Sequence, residues 1–172
     1  VSGENIYYLP GGKGANQAVG IARLGGDVNF VAKKGRDTIP GITMKNLKNP
    51  KINLSHFIED ENLETGVALV NTTGIRGNKV TLYTGANNHL TPGDIDAASE
   101  LIKNSAVVLV CTEIPVETAK RAIQIAKENN IKTILTIGSA GDKKKREIKD
   151  VFRGVDIVIM NEREGGYLTN RV

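Results

Sequence analysis

Apolar and polar positions follow two different periods along this chain, and each period predicts its own kind of element. After the glycines of "GGKGANQAV", Ala15, Ala18, Val19 and Ala22 recur at helical spacing, and Gly25-Gly26 stop that helix. "NIYYLP" before it reads as a short strand. "VNFVA" and "INLSHFI" read as strands on either side of a helix over "PGITMKNLKN", with Ile42 and Leu47 on its buried side. "TGVALVN" and "KVTLYTG" flank the turn-rich "TTGIRGN" and predict a β-hairpin. Thr91-Pro92 supplies a cap residue and a first-position proline, so "DIDAASELIKN" continues as a helix.

Beyond that point the rhythm is regular. "AVVLVC", "KTILTI" and "VDIVIM" are apolar runs without alternation, separated by the helical patterns "PVETAKRAIQIAKENN" and "KREIKDVFRG". Continuous apolar strands alternating with helices predict an α/β fold, a Rossmann-type parallel sheet covered by helices. Ligands of such sheets bind beyond the carboxyl ends of the strands. That rule selects Thr112-Glu113, Gly138-Ser139 and Asn161-Glu162.

Composition narrows the picture only a little. Of 172 residues, 40% are hydrophobic and 4% aromatic, with no Trp, so the core is built from Ile, Val, Leu and Ala. The net charge of +4 is no nucleic-acid signature. The basic run Lys143 to Glu147 has no aromatic residue interleaved and reads as a solvated helix face, so no nucleic-acid partner is expected. Cys111 is the single cysteine and sits in an apolar run, which fits a buried thiol in a reducing compartment, the cytoplasm. No apolar run is long enough to span a membrane.

The glycine stretch carries the chemistry. A Walker loop needs Gly-Lys followed by Ser or Thr, but Lys13 is followed by Gly14. A dinucleotide fingerprint needs a third glycine where Gln17 stands. Gly11, Gly12 and Gly14 still let backbone approach a ligand closely, and Lys13 and Asn16 add ammonium and amide groups suited to a polyhydroxylated substrate. Glu113, at a strand end, can accept hydrogen bonds from sugar hydroxyls or can serve as a charge at a helix N-terminus. Asn161 and Glu164, three apart at a helix start, suit a hydrated metal–phosphate, or else a plain capping box.

"GGKGANQAV", the hairpin "TGVAL…TGANN", the strand-end Glu113 and "NEREGGYLT" occur in one order, and together they resemble the ribokinase-like family of sugar and nucleoside kinases over nearly the whole chain. The resemblance implies a ribokinase-like core at 11–64 and 86–172, with a small β lid from 1–10 and 65–85. It implies that Gly12, Lys13, Gly14, Ala15 and Asn16 line a ribose site with Glu113. It implies that Asn161 serves ATP binding and that Glu164 serves magnesium. The implied reaction is transfer of the ATP γ-phosphoryl to the 5-hydroxyl of D-ribose, with Mg2+ and a monovalent cation, K+, as cofactors and a homodimer formed through the lid. The alternatives are another sugar or nucleoside acceptor, or a non-catalytic sugar-binding paralogue.

Two departures accompany the match. Family members carry an early strand with a sugar-binding Asp and a late Gly-Ala-Gly-Asp segment with the catalytic base. Neither occurs here, so the chain is expected to be incomplete at both ends, with no catalytic residue of its own and the base beyond Val172. "TIGSAGD" also stands where the family has Asn-Pro-Ala-Pro.

Overall fold

The computed structural model describes residues 5–39, 41–49, 51–72, 78–138 and 145–170. The basic residues Lys143 and Lys144, the hairpin tip and most of the "TIGSAGD" loop lie outside them. Helix α1 (Lys13–Arg23) is followed by strands β1 (Val28–Asn29), β2 (Ala32–Arg36), β3 (Ile52–Asn53) and β4 (Phe57–Glu64). The hairpin is β5 (Val67–Thr72) and β6 (Asn78–Tyr83). Helices α2 (Pro92–Ala97) and α3 (Ser99–Lys103) lead to β7 (Val107–Cys111), α4 (Val116–Glu128), β8 (Lys132–Thr136), α5 (Lys145–Val151), β9 (Ile157–Ile159) and α6 (Glu162–Thr169).

Pairing follows the sequence expectation where the apolar runs are continuous. β7, β8 and β9 form a parallel sheet in that order, in register from Val107 opposite Lys132 to Thr136 opposite Ile159. Parallel neighbours need a crossover, and α4 supplies the first one. Its Ala119, Ala122, Ile123, Ile125 and Ala126 are buried against the sheet at helical spacing. β1 with β3 and β2 with β4 form two further parallel pairs, and β5 with β6 an antiparallel one. The result is an α/β fold of parallel sheets flanked by helices.

Two apolar clusters hold it together. The larger joins α2, α3 and α4 to β7 and β8 through Leu90, Ile95, Ile102, Val110 and Leu135. The smaller packs Val19 and Ala22 of α1 on Leu47 and Ile52. Polar ties fix the edges of this packing. Thr91 and Asp94 form a reciprocal capping box at the start of α2, and Lys33 on β2 reaches Asp94 at 3.1 Å. Burial pushes the Asp94 carboxyl up, but the Thr91 and Lys33 donors outweigh it and hold the group below 3.8.

Several expected elements differ, each for a local reason. "NIYYLP" pairs with no strand among the described residues, and Ile6 and Tyr7 are each 79% exposed; β propensity without a neighbour makes no ladder. "VNFVA" splits into β1 and β2 around Phe30-Val31. Of the helix expected over "PGITMKNLKN", the described residues 41–49 form one turn of 3-10 helix, Thr43–Lys45. Asn46 and Asn49 are weak helix formers, and Asn49 Oδ1 instead accepts from the Lys51 N–H at 2.9 Å. Leu47 is buried as expected, whereas Ile42 is only half-buried. "INLSHFI" is likewise broken by a turn between β3 and β4, and the helix over "DIDAASELIKN" is interrupted at Ala98. The stop of α1 falls where the glycines put it. Gly25 has φ of 95°, and the Gly25 and Gly26 N–H groups donate back to Ala22 and Ile21.

Candidate functional site

Helix α1 starts from Gly12, whose φ of 94° and ψ of 134° suit glycine and few other residues. No side chain caps this helix start and no acidic residue stands in its first turn. The N-terminal end of the helix dipole is therefore presented with its partial positive charge unneutralised. A Cβ at Gly14 would sit 3.7 Å from Cε2 of Phe30, whose ring stacks on Phe57 with centroids 5.7 Å apart. Asn16 is exposed, and it borders a shallow cleft together with Pro10, Gly11, Ala15, Thr43 and Asn46.

Lys13 departs from the simplest expectation. Its ammonium does not extend along the glycine loop. It donates to the Ile137 carbonyl at the end of β8 at 2.8 Å, and to Glu164 Oε1 on α6 at 3.1 Å. This brings the glycine loop and the "NERE" helix start together over the carboxyl ends of the parallel sheet.

Asn161 and Glu164 form the capping box that their spacing allows. Asn161 Oδ1 accepts from the Glu164 N–H at 2.8 Å, and Glu164 Oε2 accepts from the Asn161 N–H at 2.9 Å. Both Glu164 oxygens are therefore engaged, one by the cap and one by Lys13, and the side chain is only 11% exposed. The two readings of this pair, cap and ligand site, are thus not alternatives in space. Glu162 and Glu164 make the first turn acidic, which disfavours a bare anion there and favours a phosphate that carries its own cation. Among the described residues no group of three or more His, Cys, Asp or Glu side chains could hold a metal ion. A divalent ion at Glu164 would take its remaining oxygens from water and phosphate, as magnesium commonly does.

Glu113 follows β7 and is half-buried. Its side chain lies so close to Gly138 that a Cβ at that position would come within 2.4 Å of Glu113 Cγ. The Gly138 N–H donates to Thr112 Oγ1 at 2.7 Å, so the ends of β7 and β8 are tied directly beside this carboxylate. Burial pushes the neighbouring Cys111 thiol above its usual 9.0, which leaves it a poor nucleophile.

Sequence reasoning named Gly12, Lys13, Gly14, Ala15, Asn16, Glu113, Asn161 and Glu164. The structure gathers Lys13, Asn161 and Glu164 around one ion pair, with Glu113 at the neighbouring strand end and Asn16 on the outer face of α1. It also involves the Ile137 carbonyl, which no sequence signal could mark, because a backbone oxygen becomes a partner only through its place at a strand end.

The sequence profile of the pfkB family carbohydrate kinases matches residues 2–172. The chain belongs to the pfkB family of carbohydrate kinases. Its curated relatives include a bifunctional ribokinase/ribose-5-phosphate isomerase A from Fructilactobacillus sanfranciscensis, 36% identical over 92% of this chain and 29% of that protein. A ribokinase from Haemophilus influenzae is 34% identical over 98% of this chain and 54% of its own length. Among solved structures, the Arabidopsis thaliana ribokinase complexed with ribose and ATP superposes with a TM-score of 0.82 at 26% identity, covering 99% of this chain and 55% of that one. This pfkB chain therefore spans about half the length of the ribokinases it matches. Among its described residues no helix is long and apolar enough to cross a membrane.

Proposed function

We propose that this chain is the sugar-binding and phosphate-facing portion of a ribokinase, which transfers the γ-phosphoryl of ATP to the 5-hydroxyl of D-ribose. The observation that carries the reading is Lys13. From the glycine loop it reaches both the end of β8 and Glu164, so a sugar along Gly12, Gly14 and Asn16 would lie next to a nucleotide phosphate at the α6 start. The ribokinases among its relatives, and the ribose and ATP held by the Arabidopsis ribokinase, support the same acceptor and donor.

In this reading Asn16 and Glu113 hold sugar hydroxyls, Asn161 orients the phosphates, and Glu164 receives magnesium. Bound Mg–ATP supplies the phosphoryl group and neutralises its charge. Lys13 stands between the two ligands, where its ammonium can follow charge as it moves from γ-phosphate to product. The exposed apolar residues of the hairpin, Leu69, Val70, Val80, Leu82 and Tyr83, suit a lid that covers the sugar and pairs with the same lid of a second subunit. A nucleoside acceptor has less support, since Phe30, the ring beside the glycine loop, is already stacked on Phe57.

An ADP-release assay of the intact protein with Mg–ATP tests the reading against D-ribose, D-fructose and adenosine. Saturable turnover with ribose is expected. Turnover with fructose or adenosine alone would move the acceptor elsewhere in the family. Calorimetric binding of ribose without turnover would leave a sugar-binding paralogue. No Gly-Ala-Gly-Asp run occurs in the 172 residues, so this chain by itself is expected to show no ribose-dependent ADP release.

A further inference from the structure

Between the hairpin and the glycine loop lies one carboxylate that neither ligand assignment uses. Asp37 follows β2. Its Oδ1 accepts from the Thr43 hydroxyl at 2.6 Å and lies 2.8 Å from the Thr65 hydroxyl, whose single proton it shares with the Gly35 carbonyl at 2.8 Å, and its Oδ2 accepts from the Thr43 N–H at 3.2 Å. Burial pushes its carboxyl up, but these donors, with the Lys34 ammonium nearby, hold it below 3.8, so it is a charged acceptor at neutral pH.

The two threonines belong to different machinery. Thr65 is the residue from which the hairpin departs, and its N–H also donates to the Arg36 carbonyl at 2.9 Å. The hairpin root is packed backbone against backbone. A Cβ on Gly35 would meet the Leu63 carbonyl oxygen at 2.3 Å, and one on Gly85, whose φ is 49°, would meet the Glu64 carbonyl oxygen at 2.4 Å. Thr43 starts the 3-10 turn that shares the shallow cleft with Gly11, Ala15 and Asn16. One side chain therefore joins the root of the hairpin to the wall beside the glycine loop.

We propose that Asp37 is a positioning residue that sets the hairpin root against the Thr43 wall and so fixes how the hairpin meets a sugar held at Asn16. The proposal rests on the ribokinase reading of that site and adds to it a residue with no contact to either ligand. Asp37 acts through Thr65 and Thr43, and its bonds reach the wall beside the glycine loop and make no contact with the α6 start.

Three variants of the intact protein test this: Asp37→Asn, Thr65→Val and Thr65→Ser. An amide at position 37 can still accept from the hydroxyls at one atom, but its NH2 would face the Thr43 N–H, so one bond and the charge are lost. Asp37→Asn and Thr65→Val are each expected to weaken ribose binding, measured calorimetrically without nucleotide, and to raise the ribose KM by about three- to tenfold, the net worth of one hydrogen bond acting at a distance from the sugar. The KM for ATP and kcat should stay within about twofold, because phosphate contacts are untouched. Thr65→Ser keeps the hydroxyl and should bind ribose like the wild type. A folded Asp37→Asn protein with wild-type ribose affinity overturns the proposal, as does an equal rise in both KM values. Should Asp37→Asn not fold, Thr65→Val decides by the same measurements. If the wild type binds none of the sugars, the ribokinase reading and this proposal fall together. If it binds ribose and the variants do too, only the role of Asp37 falls.

Discussion

Lys13 and Glu164, separated by 151 positions in the chain, form an ion pair at 3.1 Å that closes the gap between the glycine loop and the last helix. The pair is partly exposed, with Lys13 at 40% and Glu164 at 11%, so solvent screens it and its share of folding stability is small. Its consequence is positional. Glu164 is already the reciprocal partner of the Asn161 cap, so the ammonium is anchored to a helix end that is itself fixed.

Lys13→Met in the intact protein removes both of its bonds while keeping much of the stem. Thermal stability is expected to drop by no more than about 1 kcal/mol, the usual range of a solvent-screened pair. The loss in kcat/KM should be larger, on the order of a hundredfold, because a cation beside a transferring phosphoryl group counts most in the transition state. A Tm measurement paired with steady-state kinetics separates the two. A large Tm loss with little kinetic change would make Lys13 a structural strut only.

Asn16→Ala addresses the acceptor side. The amide is exposed at the cleft on α1, so its removal should hardly affect stability. If it bonds sugar hydroxyls, ribose kcat/KM should fall by about 1–3 kcal/mol in transition-state terms, with ATP affinity unchanged. Weakened ATP binding with intact ribose binding would reassign the glycine loop to phosphate.

Glu113→Gln and Glu164→Gln should separate by their response to magnesium. Glu113→Gln is expected to raise the ribose KM, with no rescue by added magnesium, since an amide donor replaces a carboxylate acceptor. Glu164→Gln should lower activity in a way that excess magnesium partly restores, and should also lower Tm, because the same carboxylate serves the cap and Lys13. A lowered Tm with an unchanged magnesium titration would leave that helix end purely structural.

Asp156 gives a pH-dependent test of the sheet itself. Its Oδ2 accepts from the Thr133 N–H at 2.8 Å and from the Thr133 hydroxyl at 3.0 Å, and Lys132 reaches Oδ1 at 3.1 Å, which ties the start of β9 to β8. The Thr133 N–H above all, then Lys132, holds the carboxyl down from 3.8 to about 2. A depressed native pKa stabilises the fold above the unfolded value of 3.8, and that contribution is lost as pH falls through about 2. Asp156→Asn should therefore lower Tm at pH 7, and the difference from wild type should shrink as pH falls from about 4 and vanish only about one pH unit below the native value of about 2. A gap that does not shrink between pH 4 and pH 2 would mean that packing and not charge is responsible.

Much of the architecture is legible in the order of residues, and the reason is local. Strands β7, β8 and β9 announce themselves because a strand buried on both faces must be apolar throughout, and α4 because its buried face recurs every three or four residues. The Schellman stop of α1 and the Thr91 and Asn161 caps depend on neighbours within six positions, so short spacings reveal them. The motif residues Lys13, Asn16, Glu113, Asn161 and Glu164 could be named for the same reason. Propensity failed where a long-range partner decides. Residues 5–10 have strand-forming side chains but no ladder among the described residues, and 41–49 bury Leu47 without becoming an α-helix. Which way the Lys13 ammonium turns, that Glu164 serves a cap and an ion pair at once, and that Asp37 joins Thr43 to Thr65 were settled only when the parallel sheet set its strand ends side by side. Contacts between residues 28 or 151 positions apart carry no periodic trace in the sequence, because their geometry belongs to the packed sheet and not to any one segment of chain.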